Sequence, residues 1–151
     1  MKAPARGQEA SSARILLVDD NKLGLIARRS VLEELGHRIT TASEGAEALE
    51  HFSRGKFDLL ITDYKMPRMN GLELIRKVRE LDSKVPVILI SGYAEALGLT
   101  EANSGADAVI PKSAHEVQHL VRSVNRLLRR AAPKKPAASY TSKPKTRAQA
   151  G

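Results

Sequence analysis

The chain has 151 residues, a formal net charge of +8 and no cysteine. At about 150 residues per domain, this length accommodates one globular domain and a tail. The lack of cysteine excludes disulfide frameworks, thiolate catalysis and cysteine-based metal sites. The 3% of aromatic residues argues against a surface that stacks single-stranded bases.

Short apolar segments alternate with segments of helical period from residue 14 onward. In chain order the pattern predicts a strand at 15–18, a helix at 22–35, a strand at 38–41, a helix at 44–52, a strand at 57–62, a helix at 70–81, a strand at 85–90, a helix at 93–103, a strand at 107–110 and a helix at 114–130. The first helix has Leu25, Ile26, Arg29, Leu32 and Leu35 at mostly helical spacing, and Gly98 weakens the fourth. This (βα)5 alternation predicts an α/β fold with a doubly wound parallel sheet.

The positive charge is concentrated at the C-terminal end. Residues 1–12 carry +1, residues 13–132 carry +2 from 18 basic and 16 acidic side chains, and residues 133–151 carry +5 with no acid. We therefore expect a disordered N-terminal segment at 1–12, a globular domain at 13–131 and a basic disordered tail at 132–151.

No apolar segment is long enough to act as a signal peptide or to span a bilayer. We expect a cytoplasmic protein without a membrane partner.

Polar side chains follow four of the predicted strands. Asp19 and Asp20 follow the first, Asp63 follows the third, Ser91 the fourth, and Lys112 comes just after the fifth. Because the carboxyl ends of parallel strands meet at one edge of the sheet, these side chains are expected to converge. Clustered carboxylates repel one another and are costly without a cation. The sequence therefore predicts a Mg²⁺ site, since Mg²⁺ prefers oxygen ligands.

In this site Asp20 and Asp63 are expected to be direct ligands, with Asp19 acting through water and a main-chain carbonyl from the loop after the third strand. Ser91 and Lys112 suit the oxygens of a phosphoryl group, where charge accumulates during transfer. Each of the five positions also has an ordinary explanation as a helix cap, a turn residue or a solvated charge. Their joint occurrence at four strand ends favours a site.

Four segments resemble the receiver domain of two-component response regulators: ILLVDDN at 15–21, LLITDYKMPRMNGLELI at 59–75, VILISGYA at 87–94 and GADAVIPKS at 105–113. The resemblance covers residues 14–131. It implies the flavodoxin-like strand order 2-1-3-4-5. It also implies that Asp63 is phosphorylated by the phosphohistidine of a sensor histidine kinase or phosphotransfer protein.

The resemblance further implies that Asp19 and Asp20 bind Mg²⁺ beside Asp63, together with the main-chain carbonyl of Lys65. Ser91 would be the switch hydroxyl, and Lys112 would pair with the phosphoryl group. A single-domain response regulator of this kind signals through protein contact or a phosphorelay. The contact face is expected to comprise the fourth helix, fifth strand and fifth helix, which also offer a phosphorylation-dependent homodimer interface.

Val109 and Lys65 stand at positions where the receiver resemblance leaves the role of the residue open. Val109 stands where many receivers have an aromatic switch residue. Lys65, two residues after Asp63, either contacts the phosphoryl group or remains a solvated loop lysine. At that position an aspartyl-phosphate phosphatase of the haloacid dehalogenase type has a second aspartate, which argues against that class.

The basic tail leaves a second function open. Its five unopposed charges could bind nucleic acid weakly and without sequence preference, and they are Lys134, Lys135, Lys143, Lys145 and Arg147. A solubilising tail is the favoured interpretation.

Overall fold

The computed structural model describes residues 12–131, apart from the side chains of residues 95 and 96. The predicted disordered segments at 1–12 and 132–151 lie outside this range, except for Ser12. The elements are, in chain order, β1 Arg14–Val18, α1 Lys22–Glu34, β2 Arg38–Ala42, α2 Gly45–Arg54, β3 Leu59–Asp63, α3 Gly71–Leu81, β4 Val87–Ser91, α4 Ala94–Leu97, α5 Glu101–Ser104, β5 Ala108–Pro111 and α6 Glu116–Ala131. None of the helices within residues 12–131 is long and apolar enough to cross a membrane.

The strands form one parallel sheet in the order β2-β1-β3-β4-β5, which confirms the predicted topology. Val18 is paired with Thr62, and the next residue of β3, Asp63, is paired with Ile90 of β4. This register aligns the carboxyl ends of the central strands. The polar residues that follow these strands therefore lie at one edge.

Helices cover both faces of the sheet. Along β1, Ile15 and Leu17 belong to a core layer with α1 and α6, whereas Leu16 and Val18 belong to a layer with α2 and α3. Successive strand residues point to opposite faces, and each of these four side chains is at most 1% exposed. The apolar strand is thus buried on both sides, as expected for a central parallel strand.

The predicted fourth helix is in fact two single-turn helices, α4 and α5. Gly98 lies between them at φ +64, a left-handed conformation that ends a right-handed helix. Thr100 then caps α5, because its hydroxyl accepts the Asn103 N–H at 3.2 Å while the Asn103 amide accepts the Thr100 N–H at 2.8 Å. Single-turn helices have little stability of their own, so this segment depends on its surroundings.

Three other elements begin two residues later than predicted, namely β3 at Leu59, β4 at Val87 and α6 at Glu116. Before α6, the Ser113 hydroxyl accepts the His115 N–H at 3.1 Å and forms a turn. Local side-chain bonds of this kind compete with regular structure at the ends of elements.

Not all of the helically spaced residues of α1 face the core. Arg28 is 8% exposed, whereas Ile26 is 58% exposed and the side chain of Arg29 is 51% exposed. The predicted helix is confirmed, but Ile26 and Arg29 lie on its exposed side. Arg28 lies on the buried face because it has ionic partners there.

The β3–α3 loop is held by a close approach at Gly71. Its N–H donates to the Tyr64 carbonyl at 2.7 Å, and a Cβ at this position would overlap the carbonyl oxygen of Asp63. Asn70 caps α3 in a capping box with Glu73, with both bonds at 2.9 Å. The loop after Asp63 is thus fixed at both its ends.

We expect Gly71→Ala to lower the free energy of unfolding by about 1–3 kcal/mol, because the added methyl group forces the backbone apart. Gly92→Ala is the matched control, since a Cβ there meets no atom closer than 3.9 Å. Urea denaturation of both variants checks this, and equal stability of the two would contradict the close approach.

Candidate functional site

The carboxyl edge of the sheet gathers the polar residues that the sequence places after the strands. Asp19 and Asp20 follow β1, Asp63 and Ser91 are the last residues of β3 and β4, and Lys112 follows β5. Asp19, Asp63 and Ser91 are buried, whereas Asp20 and Lys112 are exposed. Beside them lies a cleft of about 690 Å³, lined in part by Asp20, Asp63 and Lys112.

Three carboxylates form the acidic part of the site. One oxygen from each of Asp19, Asp20 and Asp63 lies within 4.8 Å of the other two. Asp19 is 1% exposed and Asp63 is 4% exposed, so water screens their repulsion poorly. The donor set is all oxygen and partly open to the cleft through Asp20, which suits a hard divalent cation such as Mg²⁺.

Asp63 is the least satisfied of the three. Burial, and secondarily the charge of Asp19, raises its pKa from 3.8 to about 6, although Lys112 opposes this shift. The Lys112 ammonium lies 3.1 Å from both carboxylate oxygens but donates a hydrogen bond only to Oδ2. Within the described residues, the buried Oδ1 has no hydrogen-bond partner. This oxygen is therefore available to bind a cation or to attack an electrophile.

Ser91 and Lys112 are joined through their main chains. The Lys112 N–H donates to the Ser91 carbonyl at 3.1 Å, and the Ser91 hydroxyl accepts the Tyr93 N–H at 2.8 Å. A serine hydroxyl that accepts one bond still has its own proton to donate. The ends of β4 and β5 therefore hold a hydroxyl donor and an ammonium at the same edge.

Lys65 extends across the cleft to Tyr93. Its ammonium donates to the Tyr93 hydroxyl at 3.3 Å and lies 5.3 Å from the centre of the ring. Lys65 is exposed. It therefore has a partner in the loop after β4, which neither of the two sequence-based interpretations anticipated.

Val109, which the sequence analysis compared with an aromatic switch residue, is partly buried against the core. Its N–H donates to the Glu101 carboxylate at 3.3 Å, which connects β5 to α5.

Comparisons with known proteins give one consistent result. The family model "Response regulator receiver domain" matches residues 15–125. The receiver protein CpdR of Brucella abortus is 32% identical over 116 residues, which are 76% of this chain and 96% of CpdR. A structure of the response regulator TrrA of Thermotoga maritima, in complex with Mg(2+)-BeF, superimposes with a TM-score of 0.69 at 33% identity, covering 76% of this chain and 97% of TrrA.

The chain belongs to the response regulator receiver domain family. It also matches a gliding motility regulatory protein of Myxococcus xanthus at 31% identity over 129 residues, but these are 83% of this chain and only 16% of that protein. Receivers thus occur within proteins of very different length.

The sequence analysis did not identify Arg28, which pairs with Asp19 of the acidic site and with Glu116. The Arg28 guanidinium lies 2.5 Å from Asp19 and 2.6 Å from Glu116 of α6. A signal was present in the sequence, because Arg28 lies three residues after Leu25 and four before Leu32. An arginine in an apolar stripe indicates a buried acidic partner.

The basic residues proposed to contact nucleic acid, residues 134–147, lie outside the described part of the chain. Their role stays a prediction.

We expect the stability of the receiver to depend on pH through Asp63. Between pH 3.8 and about 6 the folded chain binds more protons at this carboxylate than the unfolded chain, so the free energy of unfolding falls as the pH rises through this window. Without divalent cations at about pH 7.5, Asp63→Asn should therefore be more stable than the wild type by about 1–3 kcal/mol.

This difference should shrink towards zero near pH 4, as followed by chemical denaturation in a chelating buffer. Asp58→Asn, just before the first residue of β3, controls for the loss of one carboxylate. An Asp63→Asn variant that is less stable than the wild type at every pH would contradict the account.

Proposed function

We propose that this receiver accepts a phosphoryl group on Asp63 from the phosphohistidine of a histidine kinase or phosphotransfer protein. The single observation that carries the proposal is the buried Oδ1 of Asp63, which has no hydrogen-bond partner among the described residues. An anionic oxygen in this state is a poorly solvated nucleophile beside a cleft that a phosphoryl group can enter.

In the proposed reaction Asp63 Oδ1 forms a bond to phosphorus as the P–N bond to the donor imidazole breaks. The bond's electron pair goes to the imidazole nitrogen, which takes up a proton. The product is an acyl phosphate on Asp63. Attack of water on the phosphorus breaks the bond to Asp63, releases inorganic phosphate and restores the carboxylate. In this proposal the receiver catalyses only its own phosphorylation and dephosphorylation.

The residues fit a Mg²⁺ ion, because one carboxylate oxygen from each of Asp19, Asp20 and Asp63 lies within 4.8 Å of the other two. Asp20 and Asp63 would hold it directly, the Lys65 carbonyl would complete the protein ligands, and Asp19 would act through water. When bound, the ion neutralises the charge of the phosphoryl oxygens and of the carboxylates. The related TrrA, in complex with Mg(2+)-BeF, supports this assignment.

Ser91 and Lys112 bind the remaining phosphoryl oxygens in this proposal. The ammonium of Lys112 already lies 3.1 Å from Asp63, so it needs only a small shift to reach an oxygen beyond Oδ1. The Ser91 hydroxyl donates its free proton. Both contacts strengthen as negative charge moves onto the phosphoryl oxygens.

We further propose that the signal leaves through the face formed by α4, α5, β5 and α6, by protein contact or phosphorelay. A shift of Ser91 would reach this face directly. Its carbonyl accepts a hydrogen bond from the Lys112 N–H, and its hydroxyl accepts one from the Tyr93 N–H. Leu97 and Val117 expose about half of their surface there. The same face could join two phosphorylated copies.

The test is incubation with acetyl phosphate and Mg²⁺, followed by intact-mass spectrometry. We expect one phosphoryl group on the wild type and none on Asp63→Asn. Asp58→Asn, which loses a carboxylate just before the first residue of β3, should be labelled as the wild type is. Removal of Mg²⁺ with a chelator should abolish the labelling.

Equal labelling of the wild type and Asp63→Asn would overturn the assignment of the phosphoacceptor. Labelling that persists in the chelator would overturn the role of the cation.

A further inference from the structure

A buried ion triad connects the acidic site to the last helix. Arg28 donates from Nη1 to Asp19 and from Nε to Glu116, at 2.5 and 2.6 Å. Its side chain is 9% exposed, and that of Glu116 is 17% exposed. Burial disfavours the charged guanidinium, but its hydrogen bonds to Glu116 and Asp19 outweigh this and raise the pKa of Arg28 further. Arg28 is therefore a fixed positive charge.

Both carboxylate oxygens of Asp19 accept hydrogen bonds from protein donors. Asp19 Oδ2 accepts from Arg28, and Asp19 Oδ1 accepts the Asn21 N–H at 2.9 Å. Both oxygens thus have a donor before any cation arrives. An added cation has to share Asp19 with an arginine that is already bound to it.

The backbone of α1 leaves space for this pair. A Cβ at Gly24 would lie 2.8 Å from Asp19 Oδ2 and 3.3 Å from Arg28 Nη1. Glycine inside a helix costs about 1 kcal/mol relative to alanine. This position therefore has a packing reason for its glycine, which is the approach of the helix to the Arg28–Asp19 pair.

We propose that Arg28 is a positioning residue that lowers the affinity of the acidic site for a divalent cation, and that Glu116 moderates this effect. The inference rests on the proposed function, because it concerns the same cation site. Arg28 places a positive charge beside Asp19, and like charges repel. Glu116 offsets part of that charge from the α6 side.

The two residues act in opposite directions. Arg28→Met leaves the buried Asp19 carboxylate without its cation, so a divalent ion meets a negative charge that no arginine compensates. Glu116→Gln leaves Arg28 with Asp19 as its only anionic partner in the triad. The positive charge of Arg28 is then less compensated and repels a divalent ion more strongly. A purely structural role of the triad predicts the same direction for both variants, namely weaker binding from a disordered site.

The exposed pair Arg29–Glu33 on the same helix offers matched controls. Its atoms are 2.9 Å apart and its side chains are about half exposed. Arg29→Met and Glu33→Gln change the net charge as the test variants do, without contact to Asp19. They measure the general effect of charge on cation binding.

The experiment is titration of the full chain with Mn²⁺, reading free Mn²⁺ by electron paramagnetic resonance, followed by competition with Mg²⁺. Relative to Arg29→Met, Arg28→Met should bind on the order of tenfold more tightly. Relative to Glu33→Gln, Glu116→Gln should bind about twofold or more weakly. Thermal melting with and without cation gives an independent readout, since tighter binding gives a larger stabilisation by the ion.

Binding by Arg28→Met that equals or falls below that of Arg29→Met overturns the inference, even if the wild type binds the ion well. If Arg28→Met does not fold, the comparison of Glu116→Gln with Glu33→Gln decides, and equal or tighter binding by Glu116→Gln overturns it. The absence of binding in the wild type and in every variant would overturn the cation site of the proposed function as well. Binding that appears only in Arg28→Met would support the inference.

Discussion

The structure depends on a carboxylate held where water cannot solvate it well. Asp63 ends a strand that is buried on both faces, and its pKa is about 6 because of burial and the charge of Asp19. A lysine compensates only one of its oxygens with a hydrogen bond. The free energy that burial costs the charged form falls when a cation or a phosphoryl group engages the other oxygen. Folding thus prepares Asp63 for the phosphoryl transfer proposed above.

Two cations and one further anion surround the acidic site. Lys112 approaches from β5, Arg28 approaches Asp19 from α1, and Glu116 of α6 offsets Arg28 in turn. Buried ionic groups such as the Asp19–Arg28–Glu116 triad contribute little net stability but strongly disfavour the loss of one partner. In the proposed function, this chain of charges offers a physical route from Asp63 through Asp19 and Arg28 to α6.

The sheet and the carboxyl-edge residues could be predicted from the sequence because both follow from short-range patterns. Apolar tetrads such as Ile15–Val18 identify buried strands, and parallel connectivity brings their ends together. The buried face of α1 was missed because hydropathy treats Arg28 as a surface residue. Its spacing from Leu25 and Leu32 indicates burial, but its partners are 9 and 88 residues away in sequence and are brought to it only by the tertiary fold. The break at Gly98 was visible as a weakness, but its consequence depends on the capping pair Thr100 and Asn103. Tertiary charge pairing decides which face of α1 is buried, and local capping divides the predicted fourth helix; the helical period alone predicts neither.

The most direct test of the account follows backbone amide resonances in a ¹⁵N-labelled sample during the addition of Mg²⁺ and then of beryllofluoride. The account predicts that Mg²⁺ first shifts residues around Asp19, Asp20 and Asp63. Beryllofluoride, which mimics a phosphoryl group on a carboxylate, should then shift Ser91, Lys112 and the α4–α5 segment. Shifts confined to the opposite edge of the sheet, or no shifts at all with either addition, would contradict the claim that this carboxylate is the functional centre.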